Sequence, residues 1–301
     1  MEEHAFVDSH GVEVFSRSWP IESPSAIVAI AHGASEHSGR YDRFARALND
    51  AGYAVVAIDH RGHGLTAAGA DRAIMGAGGG QAVVDDLHEL IEQARSSMGA
   101  ELPVYLFGHS LGSLMAFAYL VQYSEGLAGG VLCGVAADLD GVADLGALLA
   151  GFDTPELRDE SAAAILAANN APFEPARTPY DWLSRDEAEV DLYAEDPLCG
   201  DAHPLTFGYL IDLFGVVAPL VDHMADITCP VMVIAGGQDP AAGMGEFARI
   251  AAAALGRAGV VADLTVYEDD RHELLNELNR DEVTADIIEW LRTHERERSD
   301  P

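Results

Sequence analysis

The residues with the clearest chemical meaning form a Gly-x-Ser-x-Gly pentapeptide, Gly108-His109-Ser110-Leu111-Gly112. The apolar run Leu102–Phe107 precedes it, and an apolar segment typical of a helix, Leu111–Tyr123, follows it. This strand–turn–helix context predicts a nucleophile elbow, in which the glycines permit a tight turn and the serine oxygen projects above a sheet. The helix would direct its N–H groups and positive dipole end toward the same point. We therefore predict that Ser110 is a nucleophile.

A serine hydroxyl reacts only when a base removes its proton, and the base needs a third group to orient it. In the strand–turn–helix type of site the chain order is serine, acid, histidine. Four histidines follow Ser110, namely His203, His223, His272 and His294. The first two fall in a helical insertion, and His294 lies in a charged C-terminal helix. His272 follows the last predicted strand through a short loop, so we predict it to be the base.

The acid that orients this base has two candidates. Asp239 comes directly after the predicted strand Val231–Ala235, where catalytic side chains gather on strand-end loops. Asp138 follows the apolar run Gly130–Ala136 and could reach the same histidine from a neighbouring strand. We favour Asp239 because its loop is short and Pro240 restricts the exit from it.

Two backbone N–H groups are needed to stabilise the oxyanion of an acyl-transfer reaction. The elbow geometry assigns one of them to Leu111. The other is expected in the loop after an early central strand, where His32-Gly33-Ala34 follows Ala26–Ala31. We predict that the Ala34 amide is the second donor.

The elements that position these residues are short, continuously apolar runs separated by helical patterns. Continuous apolar runs indicate strands buried on both faces, and their alternation with helices predicts a doubly wound α/β fold with a mostly parallel sheet. Val12–Trp19 is expected to be an antiparallel edge strand. The predicted buried strands are Ala26–Ala31, Tyr53–Ile58, Leu102–Phe107, Gly130–Ala136, Pro230–Ala235 and Ala262–Tyr267. The predicted helices are Arg40–Asn49, Gln81–Ser97, Leu111–Tyr123, Gly245–Arg257 and Asp281–Arg296.

The alternation of strands and helices stops between residues 137 and 228, which are mainly helical in pattern and rich in Ala and Leu. We predict a core formed by residues 1–136 and 229–301, with residues 137–228 inserted as a helical cap over the strand ends, where open α/β sheets bind ligands. A plain pair of core helices with long loops is the alternative. The side chains of this segment expected to contact an acyl chain are Leu145, Leu148, Leu149, Phe152, Trp182, Phe207, Leu210 and Phe214.

Charge excludes several functions. The chain has 17 Lys+Arg, all of them arginine, against 50 Asp+Glu, for a net charge of −33. Without lysine there can be no Schiff base, Ser-Lys dyad or P-loop lysine, and nucleic acid is not an expected partner.

We find no run of about 18 apolar residues and no signal peptide, so no membrane insertion is expected. Cys133, Cys199 and Cys229 have no paired spacing and indicate reduced thiols in a cytoplasmic protein.

Several longer motifs occur along the chain: His32-Gly33-Ala34-Ser35-Glu36-His37-Ser38-Gly39-Arg40-Tyr41, Asp59-His60-Arg61-Gly62-His63-Gly64, Gly108-His109-Ser110-Leu111-Gly112, Asp196-Pro197-Leu198-Cys199-Gly200, Asp239-Pro240 and His272-Glu273-Leu274-Leu275-Asn276-Glu277. Together they resemble the monoacylglycerol lipase and lysophospholipase branch of the α/β-hydrolases. The resemblance runs from about Ala26 to the C-terminus and is weakest over Asp138–Ala176. It implies Ser110, Asp239 and His272 as a triad and the Ala34 and Leu111 amides as oxyanion donors.

We expect a serine carboxylic-ester hydrolase that acts on monoacyl lipids or other medium-to-long-chain esters, without a cofactor or metal. His60-x-x-His63 resembles a metal pair, but we interpret it as organising a loop because a third ligand at suitable spacing is missing. Two alternatives stay open. One is an amide or aminopeptidase-like hydrolase, in which a carboxylate such as Asp153, Glu156, Glu187, Glu189 or Asp191 holds a substrate ammonium. The other is a non-catalytic ligand-binding protein of the same fold.

Overall fold

The computed structural model describes residues 1–67, 73–200 and 204–299. Within these ranges eight strands form one sheet: β1 (Glu2–Val7), β2 (Glu13–Trp19), β3 (Ala26–Ala31), β4 (Tyr53–Ile58), β5 (Val104–His109), β6 (Gly129–Cys133), β7 (Val231–Gly236) and β8 (Ala262–Tyr267). The α-helices of the same ranges are α1 (Asp42–Asp50), α2 (Gly79–Met98), α3 (Leu111–Tyr123), α4 (Val142–Gly151), α5 (Pro155–Arg158), α6 (Ala163–Ala168), α7 (Glu187–Glu195), α8 (Phe207–Val217), α9 (Glu246–Arg257) and α10 (Arg280–Ser299).

The sheet has the order β1-β2-β4-β3-β5-β6-β7-β8, and every pair from β4 to β8 is parallel. All residues of the central strands β3, β4, β5, β6 and β7 are buried, as expected when helices cover both faces of a parallel sheet. The prediction of an α/β fold with a mostly parallel sheet is confirmed.

The two edges of the sheet differ from the sequence prediction. The strand predicted over Val12–Trp19 pairs antiparallel with β4, but β1 lies outside it and forms the edge. Strand β1 is mostly exposed and begins Glu2-Glu3-His4, so it lacks the apolar run that identified the buried strands. At the other edge, β8 is exposed at Asp263 and Leu264, because only β7 pairs with it.

Helices cover the two faces of the sheet in separate apolar layers. On one face, α1 and α10 pack against the strands through residues such as Phe44, Leu48 and Ile287. On the other face, α2, α3 and α9 contribute residues such as Leu87 and Phe117. Helix α3 is buried continuously from Leu111 to Val121, which is expected of a helix that is apolar around its whole circumference. The site at its N-terminus is therefore held between the sheet and the residues above it.

Helices α4 to α8 lie between β6 and β7 in the chain, and the described residues of 137–228 contain no strand beyond an isolated bridge from Ser161 to Thr206. One helical run of this segment, Phe207–Asp226, is long and apolar enough to cross a membrane by length and composition alone. This finding differs from our expectation that such a stretch was missing from the sequence. Its residues Tyr209 and Val217 are fully buried in the main hydrophobic core.

A buried arginine joins the N-terminal hairpin, the loop after β4 and helix α2. Arg61 Nε donates to Asp86 Oδ2 at 2.7 Å, and Arg61 Nη2 contacts Asp8 Oδ2, with all three side chains buried. One cation therefore faces two carboxylates. Burial raises the pKa of Asp86 to about 7, and the neighbouring Asp8 charge acts in the same direction. The pKa of Asp8 is lowered by hydrogen bonds from Val12 and His10 and by Arg61, against the effect of burial.

These shifts predict the pH dependence of an Asp86→Asn variant. Folded Asp86 binds its proton more tightly than the unfolded chain does, so its contribution to stability is present at low pH and falls as pH rises toward about 7. The amide is uncharged at all pH values. We expect Asp86→Asn to change the unfolding free energy little near pH 4, where the carboxyl is protonated in the folded protein and only begins to ionise in the unfolded chain, and to raise it by about 2 kcal/mol or more near pH 8. Urea unfolding across this range measures the difference, with the exposed Glu89→Gln on the same helix as control. A uniform loss at every pH would contradict the prediction.

Candidate active site

Ser110 lies at the turn between β5 and α3 with φ 53° and ψ −121°, a backbone conformation that non-glycine residues rarely adopt. Both motif glycines are required by close backbone approaches. A Cβ at Gly108 would lie less than 3.0 Å from Gly112 O, and a Cβ at Gly112 would lie as close to Ala31 O. The turn is held by a hydrogen bond from Ser110 N–H to Cys133 O of 2.8 Å. The sequence of the motif therefore matches the backbone that it must adopt.

The loop after β3 lies directly beside this turn. A Cβ at Gly33 would be 3.2 Å from the Ser110 Cβ and 2.8 Å from Glu36 Oε1, so residue 33 has no room for a side chain. Gly33 N–H donates to Glu36 Oε1 at 2.6 Å, which fixes the peptide next to Ala34. Ala34 and Leu111 line the same cavity as Ser110. The two predicted oxyanion amides thus belong to residues that the fold brings to one place.

His272 and Asp239 come together from the loops after β8 and β7. His272 Nδ1 lies 2.8 Å from Asp239 Oδ2, and both side chains are buried. Asp239 Oδ1 accepts hydrogen bonds from Ala241 N–H at 2.9 Å and Ala242 N–H at 3.2 Å, so the carboxylate is fixed by its own turn. The competing candidate, Asp138, instead accepts from the N–H of Asp140 at 2.9 Å. The contact to the histidine is therefore made by Asp239.

The other histidines considered as bases lie elsewhere. His223 is largely exposed beside Asp226, and His294 packs beside the indole of Trp290 on helix α10, with the ring centroids 4.3 Å apart. His203 lies outside the described residues. His272 lines the same cavity as Ser110, so these two residues share access to a molecule bound there.

Three further residues contact this site: Trp182, which the sequence predicted only as an acyl contact, and His109 and Glu273, which it named only within motifs. Trp182 O accepts from His272 N–H at 3.4 Å, and the indole lies 4.8 Å from the imidazole between ring centroids. His109 precedes the serine and lies 4.8 Å from His272, ring to ring. Glu273 follows His272 and forms two hydrogen bonds with Arg40, at 2.6 and 2.7 Å. The role of Glu273 depends on its ion pair with Arg40. These two residues are more than two hundred positions apart, so the sequence gives no local sign of the contact.

The site opens into a cavity of about 330 Å³. Ser110 and His272 line it, and two carboxylates lie beside them: Glu36, 3.2 Å from the ring of His109, and Glu273, which follows His272 in the chain. Segment 137–228 supplies the apolar wall: Leu145, Leu149, Leu166, Phe207, Leu210 and Phe214. Of the expected acyl contacts, Leu148 and Phe152 are not in the wall, because they face outward and are 56% and 60% exposed. A cavity with a few polar groups and apolar walls is typical of small-molecule sites.

Two groups of side chains contain residue types that can ligate a metal. The predicted loop-organising pair His60 and His63 packs around His32, with ring centroids 4.4 and 5.3 Å from it, and burial lowers the pKa of His63 to about 3. Among the described residues, His37, Asp196 and Cys199 have ligand atoms within 4.8 Å of one another. His37 Nε2 donates to Asp196 at 2.9 Å and its Nδ1 accepts from Gly39 N–H, so hydrogen bonds of His37 join segment 137–228 to the loop after β3.

Comparisons with known proteins agree on one group. Residues 22–279 match the family model described as serine aminopeptidase, S33. The chain is 31% identical to a monoacylglycerol lipase of Mycolicibacterium smegmatis over 97% of both chains. It is also 31% identical to human monoglyceride lipase, over 77% of this chain and 72% of that one. A carboxyl esterase structure from Bacillus coagulans superposes with a TM-score of 0.88 at 29% identity and covers 98% of both chains.

The geometry predicts different effects for the two acid candidates. Asp239→Asn keeps the side-chain shape but removes the charge that faces His272 Nδ1, and we expect kcat for a short p-nitrophenyl ester to fall by about 10³-fold or more. Asp138→Asn changes only a local turn, and we expect less than about threefold. Steady-state kinetics on both variants, with circular dichroism to check folding, make the comparison. A larger loss in Asp138→Asn would reverse the assignment.

Proposed function

The chain belongs to the serine aminopeptidase S33 family of α/β-hydrolases, in its monoacylglycerol lipase branch, and from this premise we propose that it hydrolyses monoacyl lipid esters through an acyl-enzyme. The cavity supports this proposal, because Ser110 and His272 line it and most of its other lining residues are apolar. An ester whose head group lies beside these polar residues and whose acyl tail follows the apolar wall matches that distribution. The relatives named for monoacylglycerol suggest glycerol as the head group.

In the proposed reaction, Ser110 Oγ attacks the ester carbonyl carbon while His272 takes the serine proton. Asp239 holds the imidazole in the required tautomer through its contact with Nδ1. The tetrahedral oxyanion accepts hydrogen bonds from the amides of Ala34 and Leu111, at the N-terminus of α3. The alcohol leaves with a proton from His272. Water then attacks the acyl-serine with the same base, releasing the fatty acid and restoring Ser110.

We further propose that residues 137–228 act as the cap of this site and that residues 1–136 and 229–301 are its catalytic core. The cap supplies most of the apolar wall of the cavity. It also contacts the base directly, since Trp182 O accepts from His272 N–H and Leu183 O accepts from Glu273 N–H at 2.7 Å. Substrate choice and base position would therefore depend on the same segment.

The amide-hydrolase alternative finds less support in the cavity. An aminopeptidase site would need a carboxylate to hold the substrate ammonium, and the acidic cap residues proposed for this role are Asp153, Glu156, Glu187, Glu189 and Asp191. The cavity lining contains none of these. Among the described residues, the carboxylates that do line it are Glu36 and Glu273, and both are engaged by Arg40. An uncharged ester is therefore the better match.

The covalent mechanism predicts that Ser110→Ala loses ester hydrolysis by at least about 10³-fold while remaining folded. A fluorophosphonate probe should label the wild-type protein at Ser110 alone, as located by peptide mass spectrometry. The exposed Ser96→Ala on helix α2 is the control and should keep full activity and labelling. Labelling at another serine, or an active Ser110→Ala protein, would refute the proposal.

The cap proposal predicts a change in chain-length preference from a pair of adjacent substitutions on α4. Leu149 lines the cavity, whereas its neighbour Leu148 is exposed. We expect Leu149→Trp to lower kcat/KM for dodecanoyl esters by about 10-fold or more relative to butanoyl esters, because each CH₂ denied burial costs about 0.8 kcal/mol. Leu148→Trp should leave the profile unchanged. Monoacylglycerols and p-nitrophenyl esters of graded length, tested beside an aminoacyl-anilide, give the measurement. A flat wild-type profile with rapid anilide cleavage would favour the amide hydrolase.

A further inference from the structure

We propose that Glu36, Arg40, His109 and Glu273 form a charge-balanced buried unit, here called the buried quartet, in which His109 is a permanently protonated positioning residue. The unit joins the three loops that carry the proposed oxyanion amide, nucleophile and base. Its catalytic consequence rests on the function proposed above, whereas the protonation state of His109 does not.

The protonation state follows from what the two ring nitrogens of His109 face. Nδ1 lies 3.2 Å from Glu36 Oε1, and Nε2 lies 3.3 Å from the carbonyl oxygen of His272. A carboxylate and a carbonyl both accept hydrogen bonds, and an imidazole can donate from both nitrogens only as the imidazolium. Burial acts to lower the pKa of His109, but the hydrogen bond to Glu36 and the charges of Glu36 and Glu273 raise it above the usual value.

The charges within the quartet sum to zero. Two carboxylates, Glu36 and Glu273, face two cations, Arg40 and His109. Arg40 Nη1 donates to Glu36 Oε2 at 2.9 Å and to Glu273 Oε1 at 2.6 Å, and its Nη2 donates to Glu273 Oε2 at 2.7 Å. Although burial acts to raise it, the hydrogen bond from His109 and the charge of Arg40 hold the pKa of Glu36 well below its usual value. Since an unpaired buried charge is strongly destabilising, each member depends on the others.

Glu36 connects this unit to the oxyanion loop. Its Oε1 accepts from Gly33 N–H at 2.6 Å and from the Tyr41 hydroxyl at 2.9 Å, in addition to His109. The Gly33 peptide immediately precedes the amide proposed to bind the oxyanion. A change in the position or charge of Glu36 would therefore move that loop relative to Ser110, which follows His109 in the chain.

The quartet also lies against the proposed base. The His109 and His272 rings are 4.8 Å apart between centroids, so the charge of His109 and the two carboxylates that balance it act on the proposed base. Removing one charge from the quartet should bias the base in a direction set by the sign of that charge. The titratable groups that face His109 from the surrounding elements are Glu36, Glu273 and His272, with Arg40, Tyr41, Cys133 on β6 and Tyr193 of the cap beyond them.

The direct test is the ¹⁵N NMR spectrum of the histidine rings in the wild-type protein. We expect both ring nitrogens of His109 to have imidazolium shifts at about pH 8, well above the ordinary histidine pKa of about 6.5. Signals are assigned by their absence in His109→Gln or, if that variant does not fold, by correlation of each ring with its own backbone. A neutral His109 ring at that pH would overturn the proposal whatever the activity of the enzyme.

The catalytic test uses opposite charge changes. His109→Gln should lower kcat by about 10- to 100-fold with KM changed less than about threefold, and should move the acid limb of the kcat/KM profile up by about one pH unit. Glu36→Gln should move that limb in the opposite direction. The double variant restores the charge balance, so its acid limb should return toward the wild-type position. The fold-loss in its kcat should also be smaller than the product of the losses in the two single variants.

The part-buried His88, which stacks on Tyr123, provides the matched control: His88→Gln should leave kcat and the pH profile unchanged. If the acid limbs do not move, and if the losses in the two single variants simply add in the double variant, the role is purely structural and the positioning proposal is overturned. Failure of the proposed function has a different signature, because Ser110→Ala would then keep its activity while the NMR result for His109 stood.

Discussion

The N-terminus of helix α3 packs against the end of strand β3 so closely that residue 112 has no space for a side chain beside the carbonyls of Ala31 and His32. This contact depends on Gly108 as well, since β5 must turn into α3 within two residues. It places the first turn of the helix beside the loop that begins at His32. Ser110, with its positive φ, and the amides of Ala34 and Leu111 are neighbours as a consequence. Strain of this kind persists only where the surrounding structure over-determines it, and here a fully buried strand and a fully buried helix do so.

The parallel order of the sheet brings the remaining groups to the same edge. Strands β5, β6, β7 and β8 are adjacent, so the loops that follow β5, β7 and β8 lie side by side. The loop after β6 is kept narrow by Gly134, where an added Cβ would be 3.4 Å from the His272 ring and 3.5 Å from Asp239 Oδ2. Asp239 and His272 can therefore meet across the end of β6, with Asp239 fixed by its own turn.

Much of this arrangement follows from the sequence, and the exceptions have physical reasons. Continuous apolar runs identify strands that are covered on both faces, which is why β3 and β4 were predicted residue for residue, whereas the exposed β1 left no such signal. The five predicted site residues lie around one cavity or in contact with a residue that lines it. The contacts of His109 and Glu273 link segments that are distant in the chain, so no local pattern encodes them. The phase of α4, which turns Leu149 inward and Leu148 outward, depends on packing against α8.

Three arginines of this acidic chain lie where segment 137–228 meets the loop between β8 and α10. Arg185 of the segment pairs with Glu277 at 2.9 Å and contacts Asp270, and Arg280 pairs with Asp186 at 2.6 Å. From the loop that carries His272, Arg271 donates to the carbonyl of Asp181 at 2.5 Å. Arginine is suited to this position because its planar group binds two acceptors at once, which a lysine ammonium does with less geometric definition.

The backbone N–H groups of residues 272 and 273 also donate hydrogen bonds to segment 137–228. The segment is therefore part of the scaffold that holds His272, as well as part of the cavity wall. Substitutions that alter the apolar wall but keep these contacts should therefore change substrate choice alone. Substitutions of the arginines should also move His272 and so change the reaction rate.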